Sequence, residues 1–139
     1  MSDTIVAIAS GVAPAAIGVI RMSGDDALQI IEKCLKKKGL TPRMMHHRGL
    51  CDGRGVVVDD VMVCYFKAPH SYTGEDSVEV YAHGGAVNLG RVLSVLCAAG
   101  ARMAEPGEFS KRAFLNGKID LTRAEAIMDV IHAQNELQC

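Results

Sequence analysis

Four polar residues are spaced two apart along one short segment: Ser77, Glu79, Tyr81 and His83. The apolar residues between them are typical of a strand with one buried face. The polar side is then either the solvent-exposed face of an antiparallel strand or the wall of a pocket. In a pocket, the Glu79 carboxylate can accept two parallel N–H bonds, which the amino and N3–H edge of a pterin or guanine ring offers. The alternation alone leaves both interpretations open.

Two cationic side chains are further candidates for contacting a ligand. Arg21 lies at the end of an otherwise apolar segment, where a guanidinium either reaches solvent or meets a carbonyl or carboxylate of a ligand. Lys118 follows the turn at Asn116 and Gly117, a position that is usually exposed. Residue type and spacing alone assign neither side chain to a ligand.

One glycine pattern has the spacing of a phosphate-binding loop and runs from Gly85 to Arg91. That motif requires Lys followed by Ser or Thr, because Lys reaches the β- and γ-phosphates and the hydroxyl holds magnesium. Arg91 and Val92 stand at those two positions, and Gly90 falls within an apolar helical pattern. We therefore predict no nucleotide site here, and a tight strand-to-helix turn after His83.

The cysteines and histidines show no pattern of a metal site. The five cysteines include no C-x-x-C pair, and the five histidines have no convergent spacing. An odd number of cysteines, several in apolar runs, is typical of reduced thiols in a cytosolic protein. The first residues do not resemble a signal peptide, and no apolar run is long enough to cross a bilayer. We expect a cytoplasmic protein with no membrane contact.

The composition is that of an ordinary soluble domain. The 139 residues are 49% hydrophobic and 22% charged, which is enough to bury a core. Aromatic residues make up only 4% and Trp is absent, so the core must be aliphatic. The net charge of -1 gives no overall attraction to nucleic acid, so any such contact would need a local patch or another domain.

The apolar patterns predict strands and helices that interleave without strict alternation. Strands are predicted over residues 4–9, 17–22, 48–51, 55–66, 76–83 and 101–103, with a loop over residues 10–15. Residues 61–66 are mostly apolar and are predicted to be central in the sheet. These patterns predict an α+β fold with a mixed β-sheet flanked by helices.

Four helices are predicted to accompany the strands. The first is expected to be capped by Ser23, to carry Lys36, Lys37 and Lys38 at its end, and to stop at Gly39. Two more are expected over about residues 87–99 and near residues 109–115. The last is expected to begin with a capping box at Thr122 and Glu125. Its apolar stripe comprises Ala124, Ile127, Met128 and Ile131.

Three segments together resemble the N-terminal domain of the tRNA modification GTPases of the MnmE (TrmE) type. They are Val19–Gly24, Ser71–Gly85 and Arg102–Ala126, and they occur in the order expected for that family. The third reads RMAEPGEFSKRAFLNGKIDLTRAEA, which is long and specific to the family. The likeness extends from about Thr4 to the last residue.

The resemblance implies a fold similar to the tetrahydrofolate-binding domains of the glycine cleavage aminomethyltransferase. It also implies binding of 5-formyl-tetrahydrofolate or a related tetrahydrofolate, and a homodimer formed through this domain. The folate-contacting Arg, Glu and Lys of the family match Arg21, Glu79 and Lys118. In these roles Glu79 takes the pterin edge, and the two cations hold other polar parts of the folate. No residue is expected to be catalytic or to bind a metal.

For longer members, the resemblance implies GTP hydrolysis and joint action with the flavoprotein MnmG (GidA). Together they form 5-carboxymethylaminomethyluridine at the tRNA wobble position, with folate supplying the one-carbon unit and tRNA bound by the full complex. GTP, magnesium and potassium belong to a G domain that this sequence does not contain, so we expect no GTP turnover. We expect residues 1–119 to be the folate-binding and dimerisation domain, and residues 120–139 to be the truncated start of a helical domain.

The sequence departs from the family pattern at Ser10–Ala16, where the family has a Thr-Pro and more glycines. The resemblance therefore carries no folate contact over to this loop. Two other functions are considered: a pure dimerisation module with a vestigial folate site, and a stand-alone folate-dependent aminomethyltransferase. The family segment Arg102–Ala126 argues against the second, and direct folate binding separates the first from the leading hypothesis.

Overall fold

The computed structural model describes residues 3–10 and 16–138 of the chain, and side chains as far as residue 133. Strands and helices alternate irregularly along these residues, as the sequence patterns predicted. In chain order they are β1 (Ile5–Ile8), β2 (Ile17–Ser23), α1 (Ala27–Cys34), β3 (Met45–Cys51), β4 (Val57–Phe66), β5 (Ser77–His83), α2 (Ala86–Ala98), β6 (Arg102–Met103), α3 (Glu108–Leu115) and α4 (Leu121–Gln138).

The strands form one sheet in the order β3-β4-β5-β2-β1-β6. Neighbouring strands are antiparallel except β1 and β6, which are parallel. This confirms the mixed sheet of the predicted α+β fold, and β4 has a partner strand on each side, as predicted for a central strand. The more specific likeness to the folate-binding domains of the aminomethyltransferase stays a prediction.

The core lies on one face of the sheet, under α1 and α2. Ile20, Val63 and Val80 project from three neighbouring strands into this face and are fully buried. Burying a side chain of this size contributes roughly 1.5–3 kcal/mol. Because strand residues alternate between faces, Arg21 and Glu79 project from the opposite face, which α1 and α2 leave uncovered.

The prediction that Ser23 caps the first helix is wrong. Ser23 is the last residue of β2, and its hydroxyl contacts the Thr73 hydroxyl at 2.7 Å and Glu75 Oε1 at 2.8 Å. Helix α1 begins only at Ala27, and the preceding Asp26 makes no side-chain capping hydrogen bond. The Ser23 hydroxyl is used by a buried polar cluster because β2 continues one residue further than its apolar pattern indicated.

The predicted end of the first helix is also wrong. Helix α1 ends at Cys34, so the three lysines do not extend it. Leu35 forms an antiparallel bridge with Leu50, and the Lys36 N–H donates to the Gly49 carbonyl at 3.0 Å. An edge strand presents unpaired backbone groups, and here β3 pairs with this segment before another helical turn can form.

The last helix begins one residue earlier than the predicted capping box. Helix α4 starts at Leu121, and Asp120 Oδ1 accepts a 2.8 Å hydrogen bond from the Arg123 N–H. Asp120 therefore supplies the capping oxygen that was predicted for Thr122. The apolar stripe is confirmed, since its four members are the half-buried side chains of the described part of α4: Ala124, Ile127, Met128 and Ile131.

Helix α2 confirms that Gly90 lies within a helix and not in an open phosphate-binding loop. Of the predicted loop over residues 10–15, residues 11–15 lie outside the described part of the chain. Among the helices described, none combines the length and the apolar character that crossing a bilayer requires.

Candidate functional site

Arg21 of β2 and Glu79 of β5 are direct partners across two antiparallel strands. The Arg21 Nε and Nη2 atoms donate to the same Glu79 oxygen, Oε2, at 3.0 and 2.9 Å. The two side chains are 30% and 18% exposed, so the ion pair is partly shielded from water. Regular strand pairing thus brings together two of the three residues assigned by the family resemblance.

The other Glu79 oxygen is also held. The Tyr81 hydroxyl donates to Glu79 Oε1 from two residues along the same strand. Burial, together with this hydrogen bond to a carboxylate, raises the pKa of Tyr81 well above its ordinary value. Tyr81 therefore stays protonated and keeps donating, which fixes the orientation of the carboxylate.

A pocket of about 160 Å³ lies over this ion pair, lined by Arg21, Phe66, Tyr72, Ser77 and Glu79. The Tyr72 ring faces the guanidinium, with its centroid 5.4 Å from Arg21 Cζ. Tyr81 does not line this pocket but is bonded to the Glu79 carboxylate that does. Aromatic walls beside a fixed carboxylate suit a flat ring that carries N–H donors on one edge.

Tyr72 lies in the segment of residues 67–76 that joins β4 to β5, here called the strap. The two residues that flank the strap, Phe66 at the end of β4 and Ser77 at the start of β5, also line the pocket. The hydroxyl of its buried residue Thr73 forms a 2.7 Å hydrogen bond with the Ser23 hydroxyl. This contact ties the strap to the end of β2, next to Arg21.

A buried guanidinium holds the strap from the side of α3. Arg112 has a side chain only 9% exposed, and it donates to Glu75 Oε1 at 3.1 Å. It also contacts Asp3 Oδ1 at 3.2 Å and Glu108 Oε2 at 3.4 Å, together with the Ser23 carbonyl at 3.4 Å. Arg112 thereby joins α3, the strap, the first described residue and the end of β2.

A second arginine completes this charged cluster. Arg102 of β6 pairs with Asp3 and, through Nη2, with Glu108 Oε2 at 2.6 Å. The hydrogen bond from Arg102 lowers the pKa of Asp3 to about 2 and is also the largest cause of the lowered pKa of Glu108. Both carboxylates are therefore ionised at neutral pH, and ion pairs link β6, α3 and Asp3.

Lys118, the third residue of the family set, lies outside the pocket lining. Its Nζ donates to the Pro69 carbonyl at 3.1 Å, so the side chain lies against the strap. Its aliphatic stem passes Gly74, where an added Cβ would lie 3.3 Å from Lys118 Cγ. The structure thus brings Arg21 and Glu79 into contact and sets Lys118 against the segment that covers them.

Sequence reasoning missed Phe66, Tyr72 and Arg112. Tyr72 belongs to a loop, where no periodicity indicates which way a side chain points. Arg112 follows Glu108 by four residues, a spacing that indicates a surface ion pair on a helix and gives no sign of burial. For Tyr72, the available signal was its place within the family segment Ser71–Gly85.

A separate polar cluster lies at the far end of β5. Asp59 accepts from the His83 N–H at 3.0 Å, from Asn88 Nδ2 at 2.9 Å, and lies 2.6 Å from His83 Nδ1. Burial opposes ionisation of Asp59, but these hydrogen bonds outweigh it and lower its pKa. The cluster joins β4, β5 and the start of α2, at the strand-to-helix turn predicted after His83.

The remaining ionisable side chains of residues 3–10 and 16–133 form no metal-binding group. No three His, Cys, Asp or Glu side chains there converge as metal ligands would. The thiols of Cys34, Cys51 and Cys64 are buried. Burial raises the pKa of the Cys34 and Cys64 thiols, which disfavours the reactive thiolate.

Comparison with known proteins places this arrangement in a family. Residues 4–118 match the family described as "GTP-binding protein TrmE N-terminus". The chain is 49% identical over 142 residues to the tRNA modification GTPase MnmE of Lachnoclostridium phytofermentans, covering 98% of this chain and 31% of the relative. It is 50% identical over 138 residues to MnmE of Aquifex aeolicus, covering 99% of this chain and 31% of the relative.

MnmE of Petrotoga mobilis is 48% identical over 137 residues, which again covers 99% of this chain. The chain spans 30 to 31% of the length of these three relatives. The family match covers most of the chain, and the identities are far above those of unrelated proteins. The chain therefore belongs to the TrmE N-terminus family and corresponds to the N-terminal domain of the tRNA modification GTPases named MnmE.

Proposed function

We propose that this domain binds a tetrahydrofolate, such as 5-formyl-tetrahydrofolate, with the pterin ring in the pocket over Arg21 and Glu79. The observation that carries the proposal is the Glu79 carboxylate, fixed by Arg21 and Tyr81 at the base of an aromatic pocket. A carboxylate in this position can take the amino and N3–H edge of a pterin through two charge-assisted hydrogen bonds. The family resemblance assigns Arg21 and Glu79 to the folate as well, together with Lys118, which lies outside the pocket lining.

The size of the pocket limits which part of the ligand it holds. Pockets that enclose a drug-sized ligand measure roughly 300–1,000 Å³, whereas this one measures about 160 Å³. It therefore accommodates a bicyclic ring and not the whole folate. The aminobenzoyl and glutamate parts extend out of the pocket along the uncovered face of the sheet.

Binding requires Arg21 to exchange partners. Glu79 already accepts two hydrogen bonds from Arg21 and one from Tyr81, while a carboxylate offers about four acceptor positions. A two-bond fork from the ligand therefore displaces at least one Arg21 bond. The released N–H group then meets a carbonyl of the ligand, in keeping with the role expected for Arg21. Lys118 Nζ is bonded to the Pro69 carbonyl of the strap. Lys118 can therefore approach a ligand only after this hydrogen bond breaks.

The wider role is proposed from the relatives. In a longer protein with a G domain that binds GTP, magnesium and potassium, this domain supplies folate as the one-carbon donor. With the MnmG (GidA) flavoprotein, that protein forms 5-carboxymethylaminomethyluridine at the tRNA wobble position in the cytoplasm. The tRNA is bound by the full complex and not by this domain alone. In the same proposal residues 1–119 form the folate-binding domain, and residues 120–139 are the start of the helical domain.

Self-pairing is part of the same proposal. Ile17 and Met45 are 60% and 49% exposed, and both belong to the sheet face that α1 and α2 leave uncovered. A second copy of the chain would shield such residues from water. Light scattering on the purified domain is expected to give the mass of a dimer. A monomer at all concentrations would contradict pairing through this domain alone.

Calorimetric titration with 5-formyl-tetrahydrofolate tests the folate site. The Glu79→Ala variant loses two charge-assisted hydrogen bonds to the ligand, each worth roughly 1.5–3 kcal/mol. Its affinity for the folate should therefore be at least about tenfold lower than that of the parent. A dimer that binds no folate would favour the pure dimerisation module with a vestigial pocket. Release of an aminomethyl product from a protein-bound donor by the isolated chain would instead favour the stand-alone transferase.

A further inference from the structure

The strap that covers the proposed pterin pocket has no strand to support it. The β4–β5 ladder ends at the pair Phe66 and Ser77. Within the described residues, no strand pairs with residues 67–76. A backbone hydrogen bond from the Gly24 N–H to the Asp76 carbonyl, at 2.9 Å, holds one end of the strap, and its other contacts with neighbouring elements use side chains.

One group of these contacts comes from α3 and the turn that follows it, beside the contacts made by Ser23 and Tyr65. The Ser110 hydroxyl of α3 forms a 2.9 Å hydrogen bond with the Tyr72 hydroxyl. Asn116 Nδ2 donates to the Thr73 carbonyl at 2.8 Å. The Arg112 ion pair and the Lys118 hydrogen bond, described above, act on the same segment. All four contacts use side chains of α3 or its turn, so each can be removed without changing the strap itself.

The strap and the turn also touch directly. Gly74 has a φ of +82°, which side chains rarely adopt, and an added Cβ would lie 3.0 Å from the Asn116 Cβ. Any larger residue at this position would push the strap away from the turn. The close approach shows that the strap is seated against this turn and not merely near it.

Tyr72 contacts both α3 and the pocket. Its ring forms one wall of the pocket beside Arg21, while its hydroxyl is bonded to α3. The ring position therefore depends on where α3 lies. Helix α4 follows the same turn and packs against α3, so a displacement of α4 reaches Tyr72 through α3.

We propose that α3 regulates the folate pocket through the strap, with Ser110 and Asn116 acting as positioning residues for Tyr72. The inference rests on the proposed folate site. A ligand beneath the strap stabilises the seated arrangement of strap and α3. By thermodynamic linkage, loosening α3 weakens folate binding by the same factor by which folate favours the seated α3. A partner that moves α4 therefore changes folate affinity without touching the pocket.

The affinity part of the test is a double-mutant cycle. Ser110→Ala and Tyr72→Phe each remove the hydroxyl bond while keeping the ring and the pocket, and each should weaken 5-formyl-tetrahydrofolate roughly three- to tenfold. The double variant should bind no more weakly than either single variant, because both changes delete the same contact. Ser94→Ala, which removes an exposed hydroxyl of α2, is the matched control and should bind like the parent.

Amide hydrogen exchange supplies a readout that a merely structural role would not change. In the parent, saturating 5-formyl-tetrahydrofolate should slow exchange in the peptide that spans α3 as well as in β5. In a Ser110→Ala/Asn116→Ala protein at saturation, β5 should still be protected while the protection of α3 is largely lost. Thermal unfolding of each variant without ligand identifies any variant that fails to fold. The exchange measurement on the parent needs no substitution, so it tests the proposal even if a variant does not fold.

The outcomes separate the two proposals. A parent that binds folate with unchanged α3 exchange, and a Ser110→Ala variant that binds equally well, would overturn the regulation and leave the folate site standing. A parent that does not bind folate would overturn both. Two results together would support the regulation. Folate should protect α3 in the parent but not in the Ser110→Ala/Asn116→Ala protein, and the effects of Ser110→Ala and Tyr72→Phe on affinity should not add.

Discussion

Arg21 and Glu79 are 58 residues apart in sequence, yet they are direct neighbours across β2 and β5, joined by two hydrogen bonds to one carboxylate oxygen. The second carboxylate oxygen is bound by Tyr81. This arrangement holds the carboxylate in one orientation beside an aromatic pocket. We propose that the ion pair serves ligand binding, because exposed and half-exposed ion pairs contribute little to stability.

Replacing Arg21 by Lys should separate binding from stability. A lysine has one nitrogen and cannot reproduce the planar donor pair of the guanidinium. We expect roughly tenfold or greater loss of 5-formyl-tetrahydrofolate affinity, with a change of less than about 1 kcal/mol in the free energy of unfolding. Arg54→Lys, at a side chain that is 83% exposed, is the control for both measurements. Equal folate affinity in the Arg21→Lys protein would remove Arg21 from the site.

Arg112 should matter for stability far more than its surface-like sequence spacing suggests. Replacing it by Met leaves the half-buried carboxylates of Glu75 and Glu108 without their shared cation. Breaking a buried ion pair in this way costs roughly 3–5 kcal/mol. Urea unfolding should show this loss, whereas Arg54→Met should change the free energy of unfolding by no more than about 1 kcal/mol. A change of less than about 1 kcal/mol for Arg112→Met would show that these ion pairs do not stabilise the domain.

The charged cluster also predicts the response to acid. The pKa of Glu108 is lowered, chiefly by its hydrogen bond from Arg102, and that of Asp3 is lowered to about 2. The unfolded chain therefore binds more protons than the native one in acid, so stability rises with pH in this range. The contribution is complete above the ordinary carboxylate pKa and is lost as pH falls through the lowered values.

Urea midpoints measured from pH 6 down to pH 3 should fall less steeply for Glu108→Gln than for the parent. The two curves should differ most at the upper end and converge as the pH decreases. Glu125→Gln, an exposed glutamate of α4, should follow the parent. Parallel curves for the parent and Glu108→Gln would contradict the assigned cause of the lowered pKa.

Asp59 should stabilise the end of β5. Replacing it by Ala removes the acceptor for the exposed His83 backbone N–H and for Asn88 Nδ2, and leaves the Asn88 donor in a partly buried position. We expect a loss of roughly 1–3 kcal/mol in the free energy of unfolding. The adjacent Asp60 is exposed, so Asp60→Ala is a closely matched control that should have little effect. Equal effects of the two variants would show that the cluster contributes nothing specific.

The sequence was informative wherever a regular period reports which side of an element is buried. Alternation along residues 77–83 predicted that Glu79 and Tyr81 share a face, and the stripe of α4 was predicted in full. The register that sets Arg21 opposite Glu79 was not predictable from local pattern, because it depends on pairing between strands far apart in the chain. The family resemblance supplied both residues without supplying their contact.

The misses share a physical cause. Ser23 and the segment after Cys34 each had a local signal for helix, and each is instead used by a tertiary partner: a polar cluster in the first case and the edge of β3 in the second. Tyr72 could not be placed because loop side chains follow their contacts and not a period. Contacts of the strap with α3 therefore appear only in the three-dimensional structure.

The central claim is that the carboxylate of Glu79 recognises the pterin of a tetrahydrofolate. Calorimetric titration of the parent and of Glu79→Gln with 5-formyl-tetrahydrofolate tests it most directly, since glutamine keeps the shape while replacing one acceptor oxygen by a donor. We expect one site in the parent and at least roughly tenfold weaker binding in the variant, with thermal unfolding little changed. Equal affinity in the two proteins would contradict the claim.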